Sequence, residues 1–307
     1  MSATATRPDT AACSSRSLEV GEPLAGSAPV AGSWIMIEEP GPWGRDALRE
    51  SSVPPPLADW FEHLGATVGT RAMAARHARR RRLGDEPRNV WIAISDPTMP
   101  GGQVLRHAMV EQLTDIMQWD LQGLAEGRLP DIGTAVSAPL EFICTHSGRD
   151  ACCALLGKAR ARQRPQSWEC SHLGGHRFAA TSVVLPFGAV FGRLGPLDEF
   201  DTAHLRGASY LPPALQVAEI AVRRDKEMSA FEPLTTRLAQ QTPSTEGNEA
   251  GTAWAEVTSP SGASWTVRCE SSTIVRPASC HSEASEATFW AAIEIASNRV
   301  SAHKETE

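Results

Sequence analysis

The sequence predicts an α/β fold, and three observations carry that expectation. Short apolar runs have strand length and strand composition: SWIMIE at 33–38, NVWIAIS at 89–95 and LEFIC at 140–144. Between and after them lie longer stretches with helical spacing and end signals, at 57–82, 104–124 and 151–163. From Leu140 onward the order is strand, helix, strand, strand, strand, helix, with a hairpin around Pro186-Phe187-Gly188, which is close to the connectivity of a thioredoxin-like domain.

Taken in order, residues 1–25 are rich in Ala, Ser and Thr and are expected to be a mobile N-terminus. Cys13 in this segment is expected to be a surface cysteine, the alternative being an extra thiol near a metal site. Residues 26–135 form an N-terminal α/β unit, read as a degenerate thioredoxin-like domain because it offers no pair of cysteines. Its loop EPGPWG at 39–44 is forced by two prolines and two glycines. Trp34, Trp43, Trp60 and Trp91 are expected to be core anchors. The basic run RHARRRR at 76–82 reads as a solvated helix end rather than a docking patch for an acidic partner or phosphate, with Gly84 and Pro87 as the stop.

Residues 136–234 form the thioredoxin-like domain. Asp150 is the expected cap of the helix ACCALLGKARARQ, whose basic residues suit its last turns. SWECSH is a short strand, HLGGH a loop, 197–205 a second helix, and a further amphipathic helix begins near Pro213. Residues 235–253 are polar and read as a linker, and 254–307 as a small antiparallel extension with a turn at Pro260-Ser261-Gly262. Cys269 and Cys280 in it match no zinc spacing and are read as incidental thiols.

Composition narrows the function classes. The net charge of −7 argues against nucleic acid as a partner. No apolar run reaches membrane-spanning length, so no membrane association is expected. The N-terminus lacks the apolar core of a secretory signal, and clustered cysteines beside histidines suit a reducing compartment, so the expected location is cytoplasmic.

Chemistry concentrates between Phe142 and Leu194, which holds Cys144, Cys152, Cys153 and Cys170 together with His146, His172 and His176. Cys144 ends a strand, Cys153 lies in the first turn of the next helix, and His172 and His176 flank Gly174-Gly175. In a thioredoxin-like domain these positions converge at one end of the sheet. Two thiolates and two imidazoles can bind zinc tetrahedrally or hold a [2Fe–2S] cluster with sulfur on one iron and nitrogen on the other. Cys152 is an open alternative to Cys153. Cys170 is another, because alternation along SWECSH would put it on the same side as His172. His146 reads as polar surface or a supporting donor, and Arg149 as part of a turn. Arg206 and Tyr210 are read chiefly as structural contacts that could approach the site.

The segments CTHSGRDACC, WECSHLGGHRFAA and VLPFGAVFGRL resemble the signature of the sucrase/ferredoxin-like family, and weaker likenesses extend from Cys13 to about Cys280. The resemblance implies a thioredoxin-like [2Fe–2S] ferredoxin whose cluster is held by Cys144, Cys153, His172 and His176. On this reading the protein is an electron carrier rather than a catalyst, with proton-coupled redox and a partner reductase or acceptor protein. The alternatives are a zinc-binding structural or interaction module and a thioredoxin-like thiol oxidoreductase. The C-x8-C spacing is wide for common zinc folds, and adjacent Cys152-Cys153 is a poor substitute for C-x-x-C. No paired-carboxylate pattern supports a glycosidase.

Overall fold

The structure is a computed structural model that describes residues 13–77, 87–149, 151–242, 251–277, 279 and 282–298. Its α/β class is as expected, with one large mixed sheet and a second, antiparallel sheet at the C-terminal end. Asp150, Cys280 and most of the basic run, residues 78–82, lie outside the described residues.

The chain begins with α1 (Cys13–Glu19), β1 (Ser33–Glu38), α2 (Pro55–Val68), β2 (Thr70–Arg76), β3 (Arg88–Ile94), β4 (Val104–Val110) and β5 (Thr134–Ala135). It continues through β6 (Leu140–Cys144), a π-helical turn (Cys153–Gly157), α3 (Lys158–Gln163), β7 (Trp168–Cys170), β8 (Ser182–Leu185), β9 (Ala189–Phe191) and β10 (Leu205–Ala208). After α4 (Pro213–Asp225) come β11 (Thr235–Thr242), β12 (Thr252–Thr258), β13 (Ser264–Pro277) and β14 (Ala284–Asn298).

The large sheet has ten strands in the order β10-β9-β8-β6-β7-β2-β1-β3-β4-β5. It contains the same connectivity twice. In β1-α2-β2-β3-β4 the first two strands are parallel, the third is antiparallel to the first, and the fourth to the third. In β6-α3-β7-β8-β9 the pattern is identical. The two runs join edge to edge where β2 meets β7 antiparallel, at Ala75↔Cys170 and Arg76↔Glu169. This arrangement is consistent with a thioredoxin-like α/β fold.

Alternation along β1 separates the two faces. Ile35 and Ile37 join the core covered by α2, with Leu57, Phe61 and Leu64, while Trp34 and Met36 join the opposite core, which contains Cys144, Cys153 and Cys170. Trp34 and Trp91 are buried in this second core as expected, and Trp43 is buried against Ala47 and Ala74. Trp60 is only partly buried, packed against the α2 core. The C-terminal sheet β11-β12-β13-β14 closes over α4, which is buried between it and the β9–β10 edge. Among the described residues no helix is long and apolar enough to cross a membrane.

The stretch 57–82 contains a helix as expected, α2, but only to Val68: Gly69, in the left-handed region at φ 72°, ends it, and TRAMAAR becomes a strand between β1 and β7. Four expectations fail, each for a physical reason. The helix-like composition of 104–124 yields β4, paired with β3, followed by short 3₁₀ turns at Leu113–Gln118 and Gln122–Glu126. The expected helix at 197–205 is a loop with one 3₁₀ turn, Thr202–His204, because buried Arg160 takes the carbonyls of Gly195 and Asp198, both at 2.9 Å. Thr235–Thr242 is an edge strand rather than a linker, its polarity being that of a row facing water; residues 243–250 lie outside the described residues. Arg76, expected at a helix end, closes β2, pairs with Glu169 at 3.0 Å and lies over the Trp43 ring at 4.1 Å.

Close packing at Gly157 brings the helical segment against the end of β6. A Cβ there would meet the Cys144 carbonyl oxygen at 2.0 Å. Gly157→Ala should therefore destabilise the fold by about 1–3 kcal/mol despite its better helix propensity. Urea unfolding checks this; an unchanged or raised stability would contradict the packing.

Candidate metal centre

The end of β6 is the centre of the site. Cys144 is anchored there by its N–H to Thr181 O at 2.9 Å, and the chain turns into the helical segment that carries Cys152 and Cys153. β7 ends at Cys170, and Ser171 N–H donates to Ala74 O at 2.8 Å, so the loop after it leaves the sheet along β2. Gly174 and Gly175 have φ of 86° and 69°, the left-handed region that favours glycine. This double reversal folds HLGGH back on itself and stacks the His172 and His176 rings, with centroids 5.2 Å apart and planes 27° from parallel.

Cys144, Cys153 and His172 converge, their ligand atoms all lying within 4.8 Å of one another. His176 is the next ring outward. The ring Nδ1 of His172 is buried without a hydrogen-bond partner among the described residues, an arrangement that proteins avoid unless an ion or other group meets the atom. The Cys144 thiol is held well below the ordinary thiol range, first by a hydrogen bond from Cys153 and then by His172, against the cost of burial. The donor set of two sulfurs and imidazole nitrogen suits a borderline metal ion or an iron–sulfur group.

The competing cysteines separate from this set. Cys170 sits beside Cys144 on the paired strand, but its sulfur is not among the ligand atoms that converge, and burial pushes its thiol well above the ordinary range. The alternation expected to align it with His172 stops, because the strand ends at Cys170. Cys152 turns toward Cys13, whose sulfur lies 3.6 Å away. Cys13 is therefore buried beside the site rather than on the surface. His146 is buried, not surface polar: its Nε2–H donates to Gly44 O at 2.6 Å and its ring meets Trp43 edge-on.

Two arginines hold the histidine loop, Arg206 fully buried and Arg71 half-buried. Arg206 donates to Gly174 O at 2.9 Å, to Ser27 Oγ at 3.1 Å and to Ser27 O. Arg71 donates to His172 O at 2.8 Å. A Cβ on Gly175 would meet the Arg206 guanidinium at 2.3 Å, so glycine is needed there for close approach as well as for its φ. Burial lowers Arg206 to about 9, with the nearby Arg177 and Arg71 cations adding to the effect, so it remains charged at neutral pH. Burial likewise lowers Arg71, opposed by Cys170 and Cys144. Sequence reasoning placed Arg71 in a helix and so gave it no role. Tyr210 packs with the α4 core instead.

The first unit has the same strand end without the thiols. Glu38 and Glu39 stand where the second unit has Cys144 and Thr145. Glu38 accepts from Asn89, and Glu39 from Arg88 at 2.8 Å and the Gly41 N–H at 3.0 Å. A hydrogen-bonded carboxylate network thus fills the place that the ligands occupy in the second unit.

Two outcomes test this arrangement. Cys144→Ser and Cys153→Ser should each lose most bound metal, while Cys152→Ser and Cys170→Ala keep it, read by metal analysis of the purified proteins. Arg206→Met leaves loop carbonyls without donors and should cost about 2 kcal/mol in urea unfolding, with faster amide exchange at 173–176.

A family profile described as sucrase/ferredoxin-like matches residues 24–201, more than half of the 307-residue chain. The match contains all the convergent ligands and stops before Arg206 and the C-terminal sheet, short of the wider span expected from the sequence. No curated protein and no solved structure is significantly similar to the chain. On its residues and on this match, the chain belongs to the sucrase/ferredoxin-like family.

Proposed function

We propose that the protein is an electron carrier whose [2Fe–2S] cluster is held by Cys144, Cys153, His172 and His176. The observation that carries this reading is the convergence of two thiols and His172, with His176 stacked beside it, at one end of the sheet. Membership of a ferredoxin-like family supports it. When bound, the cluster would supply a one-electron couple, and imidazole ligation would set its potential above that of an all-thiolate cluster.

The chain's own residues do the rest. The sheet and the Trp34–Phe142 core keep water from the sulfur side. Arg71 and Arg206 fix the loop and place two positive charges near the thiolates, which favours the more negative, reduced state. An imidazole bound through one nitrogen keeps a proton on the other, and that proton is held more tightly in the reduced state. The same proposal includes a protein reductase or acceptor as partner, and a cytoplasmic location.

One observation favours a second reading, a structural zinc site. Ligand atoms around a tetrahedral ion at about 2.0–2.3 Å lie roughly 3.5–3.8 Å apart, which suits three ligand atoms gathered within 4.8 Å. Iron and acid-labile sulfide analysis of protein from iron-replete cells separates the two. Red-brown protein with iron and sulfide is expected; colourless protein with stoichiometric zinc would establish the second reading.

The pH dependence has a definite sign. Raising the pH removes the imidazole protons that stabilise the reduced state, so the midpoint potential should fall, by up to about 59 mV per pH unit for each proton released. A redox titration from about pH 6 to about pH 10 checks this, and a flat profile would remove the proton-coupled part. His172→Cys should lower the potential and flatten the slope.

A further inference from the structure

The geometry points to a second redox element beside the metal centre: Cys13 and Cys152 form a dithiol that closes to a disulfide and ties α1 to the turn carrying Cys153. This inference does not depend on which metal the ligands hold.

The two sulfurs lie 3.6 Å apart although 139 residues separate them in the chain. Both side chains are buried, at 1% and 4% exposure, so the approach is part of the packed core and not a surface coincidence. Ser14 Oγ–H donates to Cys152 Sγ at 3.4 Å, which holds that sulfur toward α1. Cys153, one residue on, faces the other way and joins Cys144 and His172. Neighbouring cysteines are thus assigned to different partners by the helical turn. A disulfide needs its sulfurs about 2.0 Å apart, a closure that side-chain rotation can supply.

The chemistry balances with a peroxide as oxidant. One thiol is oxidised to a sulfenic acid, with the peroxide O–O bond broken and one water released. The second thiol then attacks that sulfur, forming the S–S bond and releasing a second water. The two sulfurs lose two electrons and the peroxide gains them. Small-molecule thiols reverse the step by exchange, regaining both thiols and becoming a disulfide.

The consequence lies in what α1 covers. This helix packs against His176–Phe178 and against β13, and Glu22 just after it binds Arg177 at 2.6 Å and Arg276 at 2.8 Å. Closing Cys13 to Cys152 would fasten this cover to both sides of the site, the cysteine turn and the histidine loop.

The test uses the full-length wild-type protein, treated with hydrogen peroxide, quenched in acid with an alkylating reagent and mapped by mass spectrometry. The expected result is loss of both alkylatable thiols, a peptide linking Cys13 to Cys152, and recovery of both thiols after thiol treatment. The oxidised protein should also melt at higher temperature than the reduced one, a shift that Cys13→Ser abolishes. Both thiols remaining alkylatable, a link from Cys152 to any other cysteine, or Cys152 oxidised to sulfinic acid without a link would each overturn the proposal. Iron and sulfide measured on the untreated sample report separately on the metal centre, so failure of one reading leaves the other to its own result.

Discussion

The arrangement of the site depends on two guanidinium groups, one buried and one half-buried, reaching backbone carbonyls. A loop with two consecutive left-handed glycines cannot hold its own shape: the short 3₁₀ turn at His176–Phe178 takes the carbonyls of Gly175 and His176, but those of His172 and Gly174 lie outside any ladder or helix. Arg71 and Arg206 supply the donors from opposite sides, one from β2 and one from β10. Taking these cations out of water, Arg206 fully and Arg71 in part, is costly, and each is compensated by carbonyl oxygens and by the nearby thiols. The stacked imidazoles are the visible result: the arginines fix the carbonyls of His172 and Gly174, and the side chains between and beyond them follow.

That clamp explains why the site needs both halves of the large sheet. Arg71 belongs to the first unit and its acceptor to the second, so the β2–β7 junction brings donor and loop together. The first unit repeats the connectivity but ends its leading strand in Glu38 and Glu39, which are occupied by Asn89 and Arg88. Its part in the site is therefore support. The N-terminal segment adds a third side, since Ser27 accepts from Arg206 and Cys13 lies against Cys152.

Where the sequence misled, local preference and tertiary pairing disagreed. TRAMAAR and VLRHAMV are built from residues comfortable in a helix, yet each is held as a strand by a neighbour on the sheet. The polar run TTRLAQQT lacks alternation because most of it faces water at a sheet edge. The loop at 195–204 was lost as a helix to Arg160, a residue some forty positions earlier that takes the carbonyls a helix would have used. None of these outcomes is visible in a window of neighbouring residues.

The ligand types and the glycine turn between the histidines were determined by sequence alone, because sulfur and imidazole carry their chemistry wherever they are placed and two adjacent glycines mark a reversal. The β-α-β-β-β order of the second unit was legible too, since each element there has its own apolar run and its own stop. Only the tertiary structure decided which cysteines face each other. Cys152 and Cys153 differ by about 100° around one helical turn, so one side chain meets Cys144 and the other meets Cys13, and Cys170 is left in the core. Direction around a helix axis matters only when something stands on each side: Cys144 on one side is near in sequence, but Cys13 on the other comes from 139 positions before Cys152.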